Sequence, residues 1–490
     1  MELHQRIVSA PVDFGAVRTE FGLASDYPSE AVSEARDAVD AFAGSRTDRR
    51  DIPLVTIDPP GAMDLDQALY LERTATGFLL HYAIADVAAF VTPDGPLARE
   101  SLARGQTFYF PDGTVPLHPR VLSEDRASLL PDVDRAAALW TIELDENAEP
   151  RRYSVERALV RSRARLDYTT VQADADAGRL HPSITALPEF GRLRIEAGLQ
   201  RGAISLRLPA QSVVRHDEDG KDNHWQLVIE PRTAADDWNE QVSLLTGICA
   251  ARIMLDGNGS DHLGLLRTMP PPAPATIESM RRTAAAVGVD WPADVPVGRM
   301  LAGLDPNTPP ALVLMSEATG LLRGASYTLL NGQEPDTVQH SGIGAPYAHV
   351  TAPLRRLSDR YATEICLSHC AKTPVPQWVR DGLTTAAETM RRSDATAGKV
   401  ERACLDLTES TVLAQRLGTD FDAVVLREAN GTRPAEIFVS DPPVLSKCTG
   451  SPPEGKQVRV RLTVSDPTTR TVTFAFPAEP GGGSVPYSKP

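Results

Sequence analysis

The 490-residue chain carries 65 acidic against 50 basic residues, a formal net charge of −15, and is 42% hydrophobic; it can bury a sizeable core in roughly two to four domains of about 150 residues. The acidic balance excludes a broad basic surface for nucleic acid, though an acidic exterior can still enclose a narrow basic channel. No apolar run reaches the roughly 18 residues that span a bilayer, MELHQRIVSA has no signal-peptide core, and five cysteines make no regular framework, so reduced thiols and a cytoplasmic location are expected.

In chain order, residues 1–50 read as a small helical segment: in SEAVSEARDAVDAFAG, Val32, Ala35, Val39 and Phe42 share a helical face, with Ser29 as cap and Gly44 as stop. Strand signals begin at IPLVTID and continue in FLLHYAIADVAAFV and ALWTIELD. HDEDGKD (216–222) reads as a solvated hairpin turn and TMPPPAPAT (268–276) as a loop. Helical patterns cover 186–202, 235–256, 275–288 and 353–416. Cys366 and Cys370, in CLSHC, lack the second ligand pair of a zinc site and read as buried helix positions. From 419, FDAVVLREA, AEIFVS, QVRVRLTVSD and TVTFAF read as strands of a small barrel, followed by a disordered tail. Without regular strand–helix alternation, the fold class is α+β.

One stretch stands apart. TIDPPGAMDLDQA (56–68) places Asp58, Asp64 and Asp66 within nine positions. A strand ending at Ile57 puts Asp58 at its tip, and Pro59, Pro60 and Gly61 turn the chain. Asp64 and Asp66, two apart, face one way in an extended segment, with Met63 and Leu65 facing the core. Three converging carboxylates repel unless a divalent cation relieves them, and oxygen donors suit Mg2+ or Mn2+. The alternative is a solvated acidic turn; an EF-hand lacks its spacing and closing Glu. Farther on, in TAPLRRLSD, Thr351 can cap a helix that starts at Pro353, with Leu354, Leu357, Tyr361 and Ile365 as its buried face. A helix start beside arginines suits phosphate.

These motifs, together with YAIADVAAFV, TFYFPDGTVPLHP, LSEDRASLLP, RGAISL, IEPRTAADDWNEQVSLL and YAHVTAPLRRLSDRYATEI in this order, resemble the RNB domain of the ribonuclease II and ribonuclease R family over residues 51–418. The resemblance implies a large mixed RNB catalytic domain there, an OB-type RNA-binding barrel over 419–478, a helical segment over 1–50 and a tail over 479–490. It also implies a metal-dependent, processive 3'-to-5' exoribonuclease that releases nucleoside 5'-monophosphates from single-stranded RNA. No membrane or obligate protein partner is expected, and a monomer is.

By the same resemblance, Asp58, Asp64 and Asp66 hold Mg2+ and organise the attacking water, and Arg355 grips a phosphate. Arg356 and Arg360 either track further phosphates or are solvated. Tyr109 stacks on the terminal base, unless it is a core tyrosine. Glu240 and Glu401 fall near the RNA 3' end, and Asp86 is read as structural. Four departures stand out. The fourth family acid is Gln67, whose carbonyl oxygen can still ligate a hard cation. Leu206 and Leu208 stand where a second clamp aromatic is common. About 50 residues replace the usual cold-shock barrels. The terminal barrel has few aromatics (Phe421, Phe438, Phe474, Phe476), leaving Lys447, Lys456, Arg459 and Arg461 for phosphate contacts. Gln67 also motivates an alternative: a catalytically weakened protein that binds RNA ends without degrading them.

Overall fold

The computed structural model describes residues 9–206, 210–216, 223–230, 232–257, 263–332 and 335–478. Leu208, the 216–222 turn beyond His216 and the tail expected at 479–490 lie outside the described residues. The centre of the fold is a sheet in the order Thr47–Asp48, Pro150–Asp167, Leu54–Asp58, Gln67–Thr74, Gly77–Ala85, Asp134–Leu144, and the last strand pairs back onto Pro150–Asp167. The 18-residue Pro150–Asp167 strand serves three partners, with Thr47–Asp48 parallel to its middle. Its first part runs antiparallel to Asp134–Leu144 and its last part parallel to Leu54–Asp58, which sets Asp58 opposite Asp167.

Period-2 patterning explains why the sheet closes. Leu80, Tyr82 and Ile84 point to one face, where they meet Trp140, Ile142 and the helix Ala234–Leu255. Ala83, Ala85, Leu139 and Ala137 point to the other, against Ala31, Ala35 and Leu97 of the helices Ser29–Asp37 and Pro96–Arg104. Ala234–Leu255 starts with a capping box, Thr233 and Asp236 each satisfying the other's backbone N–H.

The N-terminal reading needs correction. Its helix stops at Asp37, Val39 is 80% exposed, and Phe42 instead lies 3.6 Å beneath the Arg157 guanidinium. The Asp40 carboxylate causes the break, accepting from the Phe42 N–H at 2.9 Å and from Arg46. Nor is the segment all helical, because Ala10–Pro11 pairs with His224–Glu230.

The single helical stretch expected over 353–416 is two helices, Leu357–Ala371 and Gln377–Ala414. Lys372, in the left-handed region at φ 55°, ends the first, and Pro374 and Pro376 prevent its continuation. Leu354, Leu357, Tyr361 and Ile365 are buried as expected. Cys366 is buried and Cys370 half-buried on the first helix, and both thiols are free.

The C-terminal strands Asp420–Arg427, Ala435–Ser440, Pro443–Thr449, Gln457–Asp466 and Thr471–Ala475 form a closed barrel. Phe421 and Phe474 lie edge to face in its core, and Leu413, on the last turn of Gln377–Ala414, packs into the same core. The strand Pro443–Thr449 escapes sequence reading because two prolines open it. Among the described residues no helix is long and apolar enough to cross a membrane.

Candidate active site

Asp58 ends its strand as expected, and Pro59 to Ala62 form the turn, closed by the Ala62 N–H on the Pro59 carbonyl with Gly61 at φ 84°. The loop is then strapped down. Leu65 is buried, its N–H donates to Ser128 Oγ at 3.0 Å, and its carbonyl accepts from Leu129. Met63 does not follow Leu65 inward; it is 41% exposed, with its sulfur 3.3 Å from the Arg165 guanidinium.

The acids are neighbours but not a closed cage. Burial, followed by the charge of Asp64, pushes Asp58 up to about 6. Burial also raises Asp64. Asp66 is 3% exposed, and burial pushes it up to about 8 against the opposing pull of Arg355 and the Leu354 N–H. The expectation that all three converge on one point is therefore only partly met. Asp66 turns toward the arginine loop, its Oδ1 accepting from Leu354 N–H at 2.8 Å and its Oδ2 standing 3.4 Å from Arg355 Nε. Asp58 Oδ2 is buried with no hydrogen-bond partner. Among the described residues no three His, Cys, Asp or Glu side chains stand close enough to hold a metal by themselves. A desolvated, unpartnered carboxylate oxygen beside a second carboxylate nevertheless fits Mg2+, which ordinarily takes one or two protein carboxylates and completes its shell with water and substrate phosphate.

The arginine loop is fixed from every side. Its backbone accepts from Gln67 Nε2 at Thr351 O (2.5 Å), donates from Ala352 N to Asp359 Oδ1 (2.7 Å), and accepts from Thr107 N at Arg355 O (3.0 Å). Leu357 N–H donates to Gly105 O at 2.9 Å, and Arg356 bridges to Gln106. These partners explain why the helix begins at Leu357 and not at Pro353. Thr351 forms no cap, since the loop's N–H groups are already taken by Asp66, Asp359 and Ala352. What remains presented is Arg355, its side chain 43% exposed. The strand Phe108–Phe110 runs alongside. Phe108 and Phe110 are buried against Gln377–Ala414, and Tyr109 between them is 52% exposed, its hydroxyl beside Arg355.

Other expected site residues sit differently. Arg356 is neither solvated nor open to phosphate: it pairs with buried Asp359 at 2.8 Å. Arg360 is buried, stacked 4.5 Å from the Trp378 ring. Glu240 pairs with Arg232 at 2.5 Å. Glu401 stands exposed on Gln377–Ala414, and among the described residues no hydrogen bond or ion pair joins it to the acids or to Arg355. Leu206 packs into a satellite core with Ile204, Met280 and Met315, so it is no clamp partner for Tyr109. Asp86 is structural, buried between Arg46 (2.9 Å) and Arg157 (3.1 Å).

Two residues escaped sequence reading. Tyr168, which accepts from Asn239 Nδ2 at 3.3 Å, feels the charges of both Asp58 and Arg355. Arg165 donates to Ala62 O at 3.1 Å and pulls Asp58 downward. Arg165 lies on the strand end that pairs with Leu54–Asp58, and Tyr168 opens the helix Tyr168–Asp176 directly after it, so a register that no local pattern announces places both.

An acid-and-arginine centre beside an exposed aromatic sits on a closed mixed barrel joined to a second small barrel, in an α+β protein. Residues 46–370 match the RNB domain and residues 419–476 the RNase II-type exonuclease C-terminal S1 domain. The chain belongs to the RNB family. It is 30% identical over 403 residues to the Arabidopsis thaliana exosome complex exonuclease RRP44 homolog A, covering 79% of this chain and 42% of that one. It is 31% identical over 352 residues to Escherichia coli ribonuclease R, covering 69% and 40%. The chain thus spans about half or less of the length of these relatives. Its fold matches the apo form of Mycoplasma genitalium RNase R (TM-score 0.82, 17% identity, 94% of this chain and 77% of that one). It also matches yeast Ssd1, described as a pseudonuclease (TM-score 0.69, 15% identity, 93% and 57%).

Proposed function

We propose that this chain is a divalent-metal-dependent, processive 3'-to-5' exoribonuclease that hydrolyses single-stranded RNA to nucleoside 5'-monophosphates. The observation that carries it is the placement of Arg355, backbone-locked and side-chain-exposed, 3.4 Å from a buried carboxylate and beside the exposed Tyr109 ring. Arg355 grips the scissile or neighbouring phosphate, and Tyr109 stacks on the terminal base, a contact tolerant of sequence. Asp58 and Asp64 would hold Mg2+ or Mn2+, which supplies charge to activate water and stabilise the leaving oxygen. With Asp66 Oδ1 committed to the Leu354 N–H, proton exchange at Asp66 falls to Oδ2, on the Arg355 side. Residues 51–418 perform the chemistry and the 419–478 barrel guides RNA toward it. The chain acts as a cytoplasmic monomer.

The second reading, an RNA-end binder that does not cleave, is favoured by one residue, Gln67 in place of an acid. End-labelled oligo(A) incubated with Mg2+ or Mn2+ separates the two. Conversion to mononucleotides and one short end product is expected; a gel shift with the RNA intact at every metal concentration would select the binder.

A further inference from the structure

Gln67 opens the strand Gln67–Thr74 directly after Asp66, and its side chain has a protein partner. Nε2 lies 2.5 Å from the Thr351 carbonyl oxygen. A carbonyl only accepts, so the amide nitrogen must be the atom that faces it. Aspartate or glutamate at this position would present a carboxylate to that carbonyl, acceptor against acceptor. The neighbouring Asp66 takes the Leu354 N–H of the same turn at 2.8 Å. Two consecutive side chains therefore hold the turn at both ends, and Arg355 is the next residue along it.

We propose that Gln67 is a positioning residue: its amide latches the Thr351–Leu354 turn and so sets where Arg355 meets the RNA phosphate. The neutral amide in the acidic motif is then not a missing metal ligand. It exchanges one negative charge near the cation for a donor that the arginine loop needs. This inference rests on the reading of Arg355 as a phosphate contact.

The test is an affinity cycle. Wild type, Gln67→Glu and Gln67→Leu, each with and without Arg355→Ala, are titrated with a non-cleavable 2'-O-methyl oligo(A) in EDTA, so that no metal contributes. Both substitutions remove the donor and keep the volume. Each is expected to weaken binding by about tenfold, the scale of one broken hydrogen bond that leaves its acceptor unpaired, with Glu worse than Leu. In the Arg355→Ala background neither should weaken it further, because coupled residues are non-additive. The shorter amide Gln67→Asn should fall between wild type and Leu, which covers the case of a Leu variant that does not fold.

A parallel Mg2+ titration of cleavage should show no lower half-saturating concentration for Gln67→Glu. Tighter Mg2+ dependence in that variant would assign Gln67 to the metal and overturn the latch. Full additivity with Arg355→Ala, or unchanged affinity, would also overturn it. RNA left uncut by wild type while the affinity cycle behaves as expected would overturn the exonuclease reading alone. An Arg355→Ala affinity equal to wild type would overturn the phosphate role of Arg355 and, with it, the latch.

Discussion

Asp58 and Asp66 carry a consequence that can be measured without substrate. Both carboxyls are raised by burial, to about 6 and about 8, so the folded protein binds their protons more tightly than the unfolded chain does. Stability from these groups is therefore fully present below the ordinary carboxylate range and is lost as pH rises through the folded values. Asp58→Asn should raise the melting temperature of the metal-free protein at pH 7–8 and leave it nearly unchanged at pH 4, as followed by calorimetry in EDTA. A constant gain at all pH values would mean that Asp58 titrates normally. In catalysis the expectation reverses. Asp66→Asn should lower kcat by on the order of 10²-fold or more while RNA affinity is largely retained, since Arg355 remains; near-normal turnover would remove Asp66 from the mechanism. Tyr109→Ala removes a stack worth about 1–3 kcal/mol. It should lengthen the final RNA fragment more than it slows the first cleavages, because long RNA keeps its other contacts. An unchanged end product on a sequencing gel would make Tyr109 a packing residue. The acids were legible at this scale because their chemistry is local, within nine positions of each other. Gln67's partner was not: the hydrogen bond to Thr351 spans 284 positions, and Asp66's to Leu354 spans 288.

At the scale of elements, the same limit recurs. Period-2 and helical patterns located Gly77–Ala85 and Ala234–Leu255 among others, but not Gln67–Thr74 or the 18-residue Pro150–Asp167 of the same sheet. They failed where tertiary partners decide. The helical pattern over 353–356 gives way because Asp66, Asp359 and Gly105 claim the loop's backbone. The N-terminal helix ends early because Asp40 turns to Arg46. That turn feeds a buried charge chain, with Arg46 on Asp86, Asp86 on Arg157 and Arg157 on Glu364 of the helix Leu357–Ala371. The chain ties the N-terminal segment and the barrel to the helix that follows the arginine loop. Asp86→Ala would take one of two carboxylate partners from Arg46, which has only 2% of its side chain exposed and keeps Asp40, and one of two from Arg157, which keeps Glu364. A loss of about 1.5–3 kcal/mol in urea unfolding is expected, the scale of a buried hydrogen bond to a charged group. A loss below about 1 kcal/mol, the level of exposed pairs, would mean that the chain is solvated.

Across the whole molecule, the proposed function asks a chain with net charge −15 to draw in a polyanion. On that reading the RNB domain would do this with a locked arginine at its centre, and the terminal barrel has little to add by stacking. Phe421, Phe438 and Phe474 are buried and Phe476 packs against the barrel core, while Arg461 is paired to Asp420 at 2.7 Å. Lys447, Lys456 and Arg459 remain exposed on the barrel. Its contribution to RNA capture should then be electrostatic. Because Leu413 of the long helix completes the barrel core, deleting the barrel would expose that core, so point substitutions are the cleaner probe. The triple change Lys447→Ala, Lys456→Ala and Arg459→Ala should weaken binding of a long single strand. It should also reduce the slope of log affinity against log salt by up to roughly 0.7 for each phosphate no longer neutralised. Binding of an oligomer too short to reach from the Arg355 site to the barrel should not change. Equal weakening of long and short RNA would place these residues at the active site's own entrance, and an unchanged salt slope would mean that the barrel does not meet the RNA backbone.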